Sequence, residues 1–275
     1  AMKRAHLVQI DSVWEDRSAN LRKAGALIRD AGVTPGDFVC LPEMFDTGFS
    51  THTAVTADRA GETRRWVQGV ARELGCWVQA GTTVSAEGSA CFNAALVATP
   101  TGEIAAEYHK THLFPTEVGP LIAGHGAMVV DIGDTPGARV LAPIICYDLR
   151  FPELFGDSLR FGANLYCVSA CWPKVRLHHW RALLIARAIE NQAIVLGVTR
   201  CGHEPTTECA GGSIAVGPRG DVLGELQSDE GVLSVELPWD DVAGWRRAFP
   251  AWKSRRQAAG DYLPQPRYAT QQPGP

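Results

Sequence analysis

The chain contains no run of about eighteen apolar residues, which argues against a membrane-spanning helix, and no charged start leading into a signal-like apolar core. A cytoplasmic protein with no membrane partner is therefore the expectation. A basic excess is missing too: 26 Lys and Arg stand against 30 Asp and Glu, a net charge of −4. That leaves no field for nucleic acid, and a phosphate ligand would need a local basic patch that the sequence does not show. No repeat of solenoid length is visible. Eight cysteines are present but share no regular spacing; Cys40, Cys76, Cys91 and Cys167 sit in apolar stretches and read as small buried hydrophobes, not as a disulfide framework. The nearest approach to a metal pattern is Cys201, His203 and Cys209 on one Gly-rich loop. It matches no familiar ligand spacing, so no metal is expected.

What is present is enough apolar sequence, 45% of 275 residues, for one large core. The first half alternates short apolar runs with amphipathic segments. "AHLVQI" and "DFVCL" read as strands, "EDRSANLRKAGALIRDAG" as a helix stopped at Gly32, and "GETRRWVQGVARELG" as a second helix closed by Gly75. "CWVQAGTTV" follows, and "CFNAALVATPTGEIAAEYHK" gives two strands turned at residues 99–102. Next come strands "AMVVDIG" and "RVLAPIIC", a helix from Pro152 to Arg160, strand "ANLYCVSA", a long helix "VRLHHWRALLIARAIENQ" and strand "AIVLGVTR". A hairpin turned at residues 218–220 and one more strand complete the pattern. So many strands in two halves imply two stacked sheets with helices outside, an α/β fold.

In α/β sheets, reactive groups gather beyond the carboxyl ends of strands. Three ionisable residues stand there: Glu43 after "DFVCLP", Lys110 after "EIAAEYH" and Cys146 after "RVLAPII". A thiol becomes a strong nucleophile when a base removes its proton or a cation or helix N-terminus stabilises the thiolate. Glu43 can serve as the base, Lys110 as the cation, and the helix at Pro152 adds a positive dipole. On this reading the environment of Cys146 favours the thiolate.

The motifs "LPEMFDTGFS", "YHKTHLF" and "IICYDLRFPELF", in that order, resemble the Glu, Lys and Cys signatures of the nitrilase, or carbon-nitrogen hydrolase, superfamily. The resemblance covers residues 3–255 as a carbon-nitrogen hydrolase domain and leaves 256–275, rich in Gln, Pro and Gly, as a loosely packed tail. "CWPKVRLHHWRALLIARAIENQAIVLGVTRCG" and "FPAWKSRRQ" are similar to the branch that includes bacterial ω-amidases. The resemblance implies a four-layer α-β-β-α sandwich with no metal or organic cofactor. It makes Cys146 the nucleophile, Glu43 the general base and later acid, and Lys110, with the backbone N–H of Tyr147, the holder of the tetrahedral oxyanion. Glu117 is the acidic residue of "KTHLFPTEVGPLIAG" and takes the place of a second, positioning carboxylate.

The ω-amidases cleave the side-chain amide of 2-oxoglutaramate or 2-oxosuccinamate to the dicarboxylate and ammonia. A small amide substrate of this kind carries a carboxylate away from the amide, which calls for a cation near Cys146. Lys174 and Arg176 are the nearest candidates, with Arg150 the alternative if it does not pair with Glu153. Trp172 follows a strand end and walls the pocket or belongs to the core, while His178 and His179 lie within a helix and suit packing or an interface. A nitrile, an N-carbamoyl amine or a deaminated peptide amide are rival substrates, and a non-catalytic binding member is the rival class. The helix from Lys174 to Gln192 and the segment "WDDVAGWRRAFPAW" promise apolar surface, and with the pairing that the resemblance implies they predict a homodimer.

Overall fold

A computed structural model describes residues 2–86 and 90–255; the expected C-terminal tail, 256–275, lies outside the described residues. The first half runs β1 (Arg4–Gln9), α1 (Arg17–Asp30), β2 (Phe38–Cys40), α2 (Thr53–Thr56), α3 (Glu62–Leu74), β3 (Trp77–Ser85), β4 (Cys91–Ala98) and β5 (Ile104–His109). The second runs β6 (Val130–Asp131), β7 (Val140–Ile145), α4 (Pro152–Arg160), β8 (Leu165–Ala170), α5 (Leu177–Asn191) and β9 (Ile194–Thr199). Then follow β10 (Cys201–His203), β11 (Glu208–Ala210), β12 (Ile214–Val216), β13 (Val222–Glu225), β14 (Gly231–Glu236) and α6 (Trp239–Ala248). Two six-stranded sheets result, ordered β14-β1-β2-β3-β4-β5 and β13-β12-β9-β8-β7-β6, with β10 and β11 as a separate hairpin. Their centres, β1-β2-β3 and β7-β8-β9, are parallel, and antiparallel strands close the edges.

Alternation along the strands dictates the layers, because neighbouring side chains leave opposite faces. Leu7, Phe38 and Cys40 of the first sheet share one buried cluster with Leu141, Leu165, Cys167 and Leu196 of the second, so these faces meet. Their neighbours point outward. Val8, Val39 and Val78 pack on Leu21, Ile28 and Val67 of α1 and α3, while Ile144, Tyr166, Val168 and Val195 pack on Phe155, Trp180 and Leu184 of α4 and α5. The order helix, sheet, sheet, helix is the expected α-β-β-α sandwich. Helix α1 starts where Asp16 accepts from the Ala19 N–H, and α3 ends at Gly75 in the left-handed region, as cap chemistry requires.

Three details go beyond the sequence reading. "AMVVDIG" pairs only at Val130–Asp131. The strand after the β12–β13 hairpin crosses to the other sheet, where β14 lies antiparallel to β1 with Leu233 opposite Leu7. The loop carrying Cys201, His203 and Cys209 is the β10–β11 hairpin, in which Gly202 faces Cys209 and the two cysteines are buried while His203 is exposed. None of the described helices is long and apolar enough to cross a membrane.

Candidate active site

Four buried residues converge at the carboxyl ends of β2, β5 and β7. Lys110 Nζ donates to Glu43 Oε1 at 2.7 Å and to Glu117 Oε2 at 2.6 Å, and all three side chains are fully enclosed. Cys146 follows β7 and opens a 3-10 turn over Cys146–Arg150; it is 8% exposed at the floor of a small cavity of about 90 Å³. The fold thus brings Glu43, Lys110, Glu117 and Cys146 together, although 67 residues separate the first two.

Local backbone explains how they meet. Cys146 has φ +44 and Met44, next to Glu43, φ +45, so both key strand ends turn through a conformation costly for a non-glycine residue. The Glu43 loop passes so close to β3 that a Cβ at Gly81 would stand 2.5 Å from the Pro42 carbonyl oxygen and 2.6 Å from Glu43 Cα; only glycine permits it. Lys110 is held by its backbone, its N–H donating to the Asn93 carbonyl and its own carbonyl accepting from Gly124 N–H. Asp148, buried in the Cys146 turn, accepts from Tyr108 OH at 2.7 Å and from the His112 N–H at 2.8 Å, and lies 2.8 Å from His112 Nδ1. That carboxylate ties the Cys146 turn to the lysine's loop.

Electrostatics correct one expectation. Burial, and then the Glu43 charge, push the Cys146 thiol well above its ordinary range, and Lys110 does not offset them. Two acidic side chains face one ammonium there, and the thiol stays protonated at rest. Burial opposes the charge on Lys110 too, but Glu43 and Glu117 outweigh it and hold the ammonium firmly protonated. Burial raises Glu117 above the usual carboxylate range. Lys110 spends two of its three protons on Glu43 and Glu117 and keeps the third. The N–H of Tyr147 belongs to the first turn, where a helix leaves donors free.

The cavity is walled by Phe49, Phe114, Tyr147 and Trp172 and rimmed by Arg150 and Arg176. Trp172 is both buried and pocket-lining, its indole N–H donating to the Arg176 carbonyl at 2.7 Å. Arg150 does not pair with Glu153; its guanidinium lies 5.1 Å from the Trp172 ring centroid, and Nη2 sits 3.4 Å from His179 Nδ1. Arg176 lies 5.8 Å from the Phe114 ring centroid. Lys174 is the candidate the structure removes: it points outward, 57% exposed, and pairs with Glu208 at 2.7 Å. The 3-10 turn over Lys174–Arg176 sends the two cations in different directions.

Sequence reasoning missed Asn93, whose Nδ2 lies 2.8 Å from Glu43 Oε1 and 2.7 Å from Glu117 Oε1. A polar residue in an otherwise apolar strand whose register ends at Lys110 is the signal that could have found it. It also missed Cys171, whose N–H donates to Glu43 Oε2 at 2.8 Å and whose carbonyl oxygen lies 3.8 Å from Cys146 Sγ.

The carbon-nitrogen hydrolase family matches residues 4–247. A 2-oxoglutaramate amidase of Bacillus subtilis is 33% identical over 257 residues, covering 91% of this chain and 96% of its own. A hydrolase in the agr operon of Staphylococcus aureus is 32% identical over 253 residues, covering 91% and 97%. Among solved structures, a superfamily protein of Xanthomonas campestris with an arsenic adduct in its active site superposes with a TM-score of 0.85 at 31% identity, covering 94% of this chain and 98% of that one. A converged Glu, Lys and Cys site on a two-sheet sandwich, matched along nearly its whole length, makes this chain a member of the carbon-nitrogen hydrolase family, amidase-like in its chemistry.

Proposed function

We propose that the protein is an ω-amidase that cleaves a short amide bearing a distant carboxylate, such as 2-oxoglutaramate or 2-oxosuccinamate. Cys146 Sγ attacks the amide carbon as Glu43 takes the thiol proton; the oxygen's negative charge meets Lys110 and the Tyr147 N–H. Glu43 returns the proton to the nitrogen, ammonia leaves, and a thioester remains on Cys146. Water, deprotonated by Glu43, then cleaves the thioester to the carboxylate and restores the thiol. Glu117 keeps Lys110 in place.

The observation that carries the substrate reading is the pair of guanidiniums at the cavity rim. Among the described residues, neither Arg150 nor Arg176 has a carboxylate partner, so both are available for a substrate carboxylate within reach of Cys146. The similarity to a 2-oxoglutaramate amidase supports the same reading. Ammonia release from 2-oxoglutaramate and from a neutral short amide tests it. Arg176→Met and Arg150→Met should raise KM for the keto-acid amide by roughly tenfold or more and leave KM for the neutral amide nearly unchanged, whereas Lys174→Met should change neither. Wild-type preference for the neutral amide, or equal effects on both substrates, sinks the reading.

A further inference from the structure

Asn93 sits on β4, fully buried, opposite Thr83 on β3 and one residue before the Ala94–His109 pair. Its carbonyl accepts the N–H of Lys110 at 2.8 Å, so this residue grips the lysine by the backbone and both carboxylates by the side chain. The four groups close a ring. Lys110 Nζ and Asn93 Nδ2 each touch Glu43 Oε1, and the same two nitrogens reach Oε2 and Oε1 of Glu117. Both amide protons are therefore spent on carboxylates, while Asn93 Oδ1 is buried without a hydrogen-bond partner. Leaving an acceptor bare is costly, and an apolar residue of similar volume would fill the space without that cost. Turning the amide over would face its oxygen with two carboxylates, so the orientation is determined.

We propose that Asn93 is a positioning residue of the reaction: it holds Glu43 and Glu117 side by side on Lys110 and, by occupying Glu43 Oε1, leaves Oε2 to exchange the proton with Cys146. The inference rests on the reading of Glu43 as the base. Oε1 is occupied by Lys110 and Asn93, whereas Oε2 accepts the Cys171 N–H at 2.8 Å and keeps a lone pair for the thiol, whose own residue neighbours Cys171. Without the amide donor the ionised carboxylate loses stabilisation and the two glutamates repel each other across a single ammonium.

The test is the pH dependence of kcat/KM for ammonia release from whichever amide the wild type turns over best, with thermal melts of every variant. Asn93→Ala is expected to lower kcat by roughly tenfold to a hundredfold, keep KM within about threefold, and move the acid limb up by about one pH unit, because loss of a donor favours the protonated base. Asn93→Asp adds a third negative charge and should move the limb further the same way. Asn93→Ser keeps one donor; it should lie between wild type and Asn93→Ala, and it carries the test if the other two do not fold. A fall in kcat with an unmoved acid limb would make Asn93 merely structural and overturn the proposal, as would a wild-type profile. Glu43→Gln, run alongside, separates the two ideas: it should be inactive, and turnover in that variant overturns the reading of the base itself.

Discussion

Cys146 illustrates how burial can reverse a conclusion drawn from charge type. A cation at hydrogen-bonding distance from the neighbouring base suggests a ready thiolate, yet desolvation and Glu43 keep the thiol protonated at rest. On the mechanism proposed above, its reactivity depends on transfer to Glu43, not on a standing negative charge. Iodoacetamide should still label Cys146 first, because it lines the cavity while most other cysteines lie in packed strands. If Glu43 acts as the base, its loss should outweigh the removal of a charge that favours the protonated thiol, and the labelling rate should drop by about tenfold or more in Glu43→Gln, as peptide mapping over a time course would reveal. A rate unchanged by that substitution would mean that the thiolate forms without Glu43.

Among the elements, β1 and the approach to β2 are joined by one buried carboxylate. Asp37 accepts from Arg4 at 2.8 Å and from the Thr34 N–H and hydroxyl, and stands 3.1 Å from His6 Nε2. Burial alone would raise its pKa, but these partners together hold it down at about 2, against an ordinary 3.8. A carboxyl depressed in the folded state contributes stability that is present above the usual value and lost as pH falls toward 2. Asp37→Asn should therefore cost ~2 kcal/mol at pH 7 and should lose part of the decline in stability between about pH 4 and 2, as urea unfolding across that range would register. Such links explain what was legible beforehand. Strands built from apolar runs, and helices with Gly stops, stood out because local pattern determines them. The β10–β11 hairpin is three residues a side and polar, and the crossing of β14 depends on a partner more than two hundred residues away; neither leaves a local trace. In the site, the residues at strand ends were legible by position. Asn93 was not, because it lies inside a strand, and Lys174 was misjudged because two residues of 3-10 turn decide which cation faces the cavity.

Across the whole molecule, the sandwich brings strand ends from two sheets to one cavity and leaves apolar surface on the side of α4, α5 and α6. Phe161 is 66% exposed, Ile189 52% and Phe249 53%, around the end of α5 where Gln192 donates to the Phe249 carbonyl and Arg246 to that of Ala163. The tryptophans of α6 are less open than the sequence suggests: Trp239 donates to the Met2 carbonyl, and Arg219 covers Trp245. We propose a homodimer through this side, and light scattering at micromolar concentration should give twice the chain mass, with a monomer mass refuting it. The central claim, however, is covalent chemistry at Cys146 on a carboxylate-bearing amide. Its most direct test is mass spectrometry of the wild-type protein quenched during turnover of 2-oxoglutaramate, with Cys146→Ala beside it. The account predicts a wild-type adduct on the Cys146 peptide equal to substrate minus ammonia, with no adduct and no ammonia release from a Cys146→Ala protein of unchanged melting temperature. Ammonia release by Cys146→Ala at the wild-type rate would contradict it.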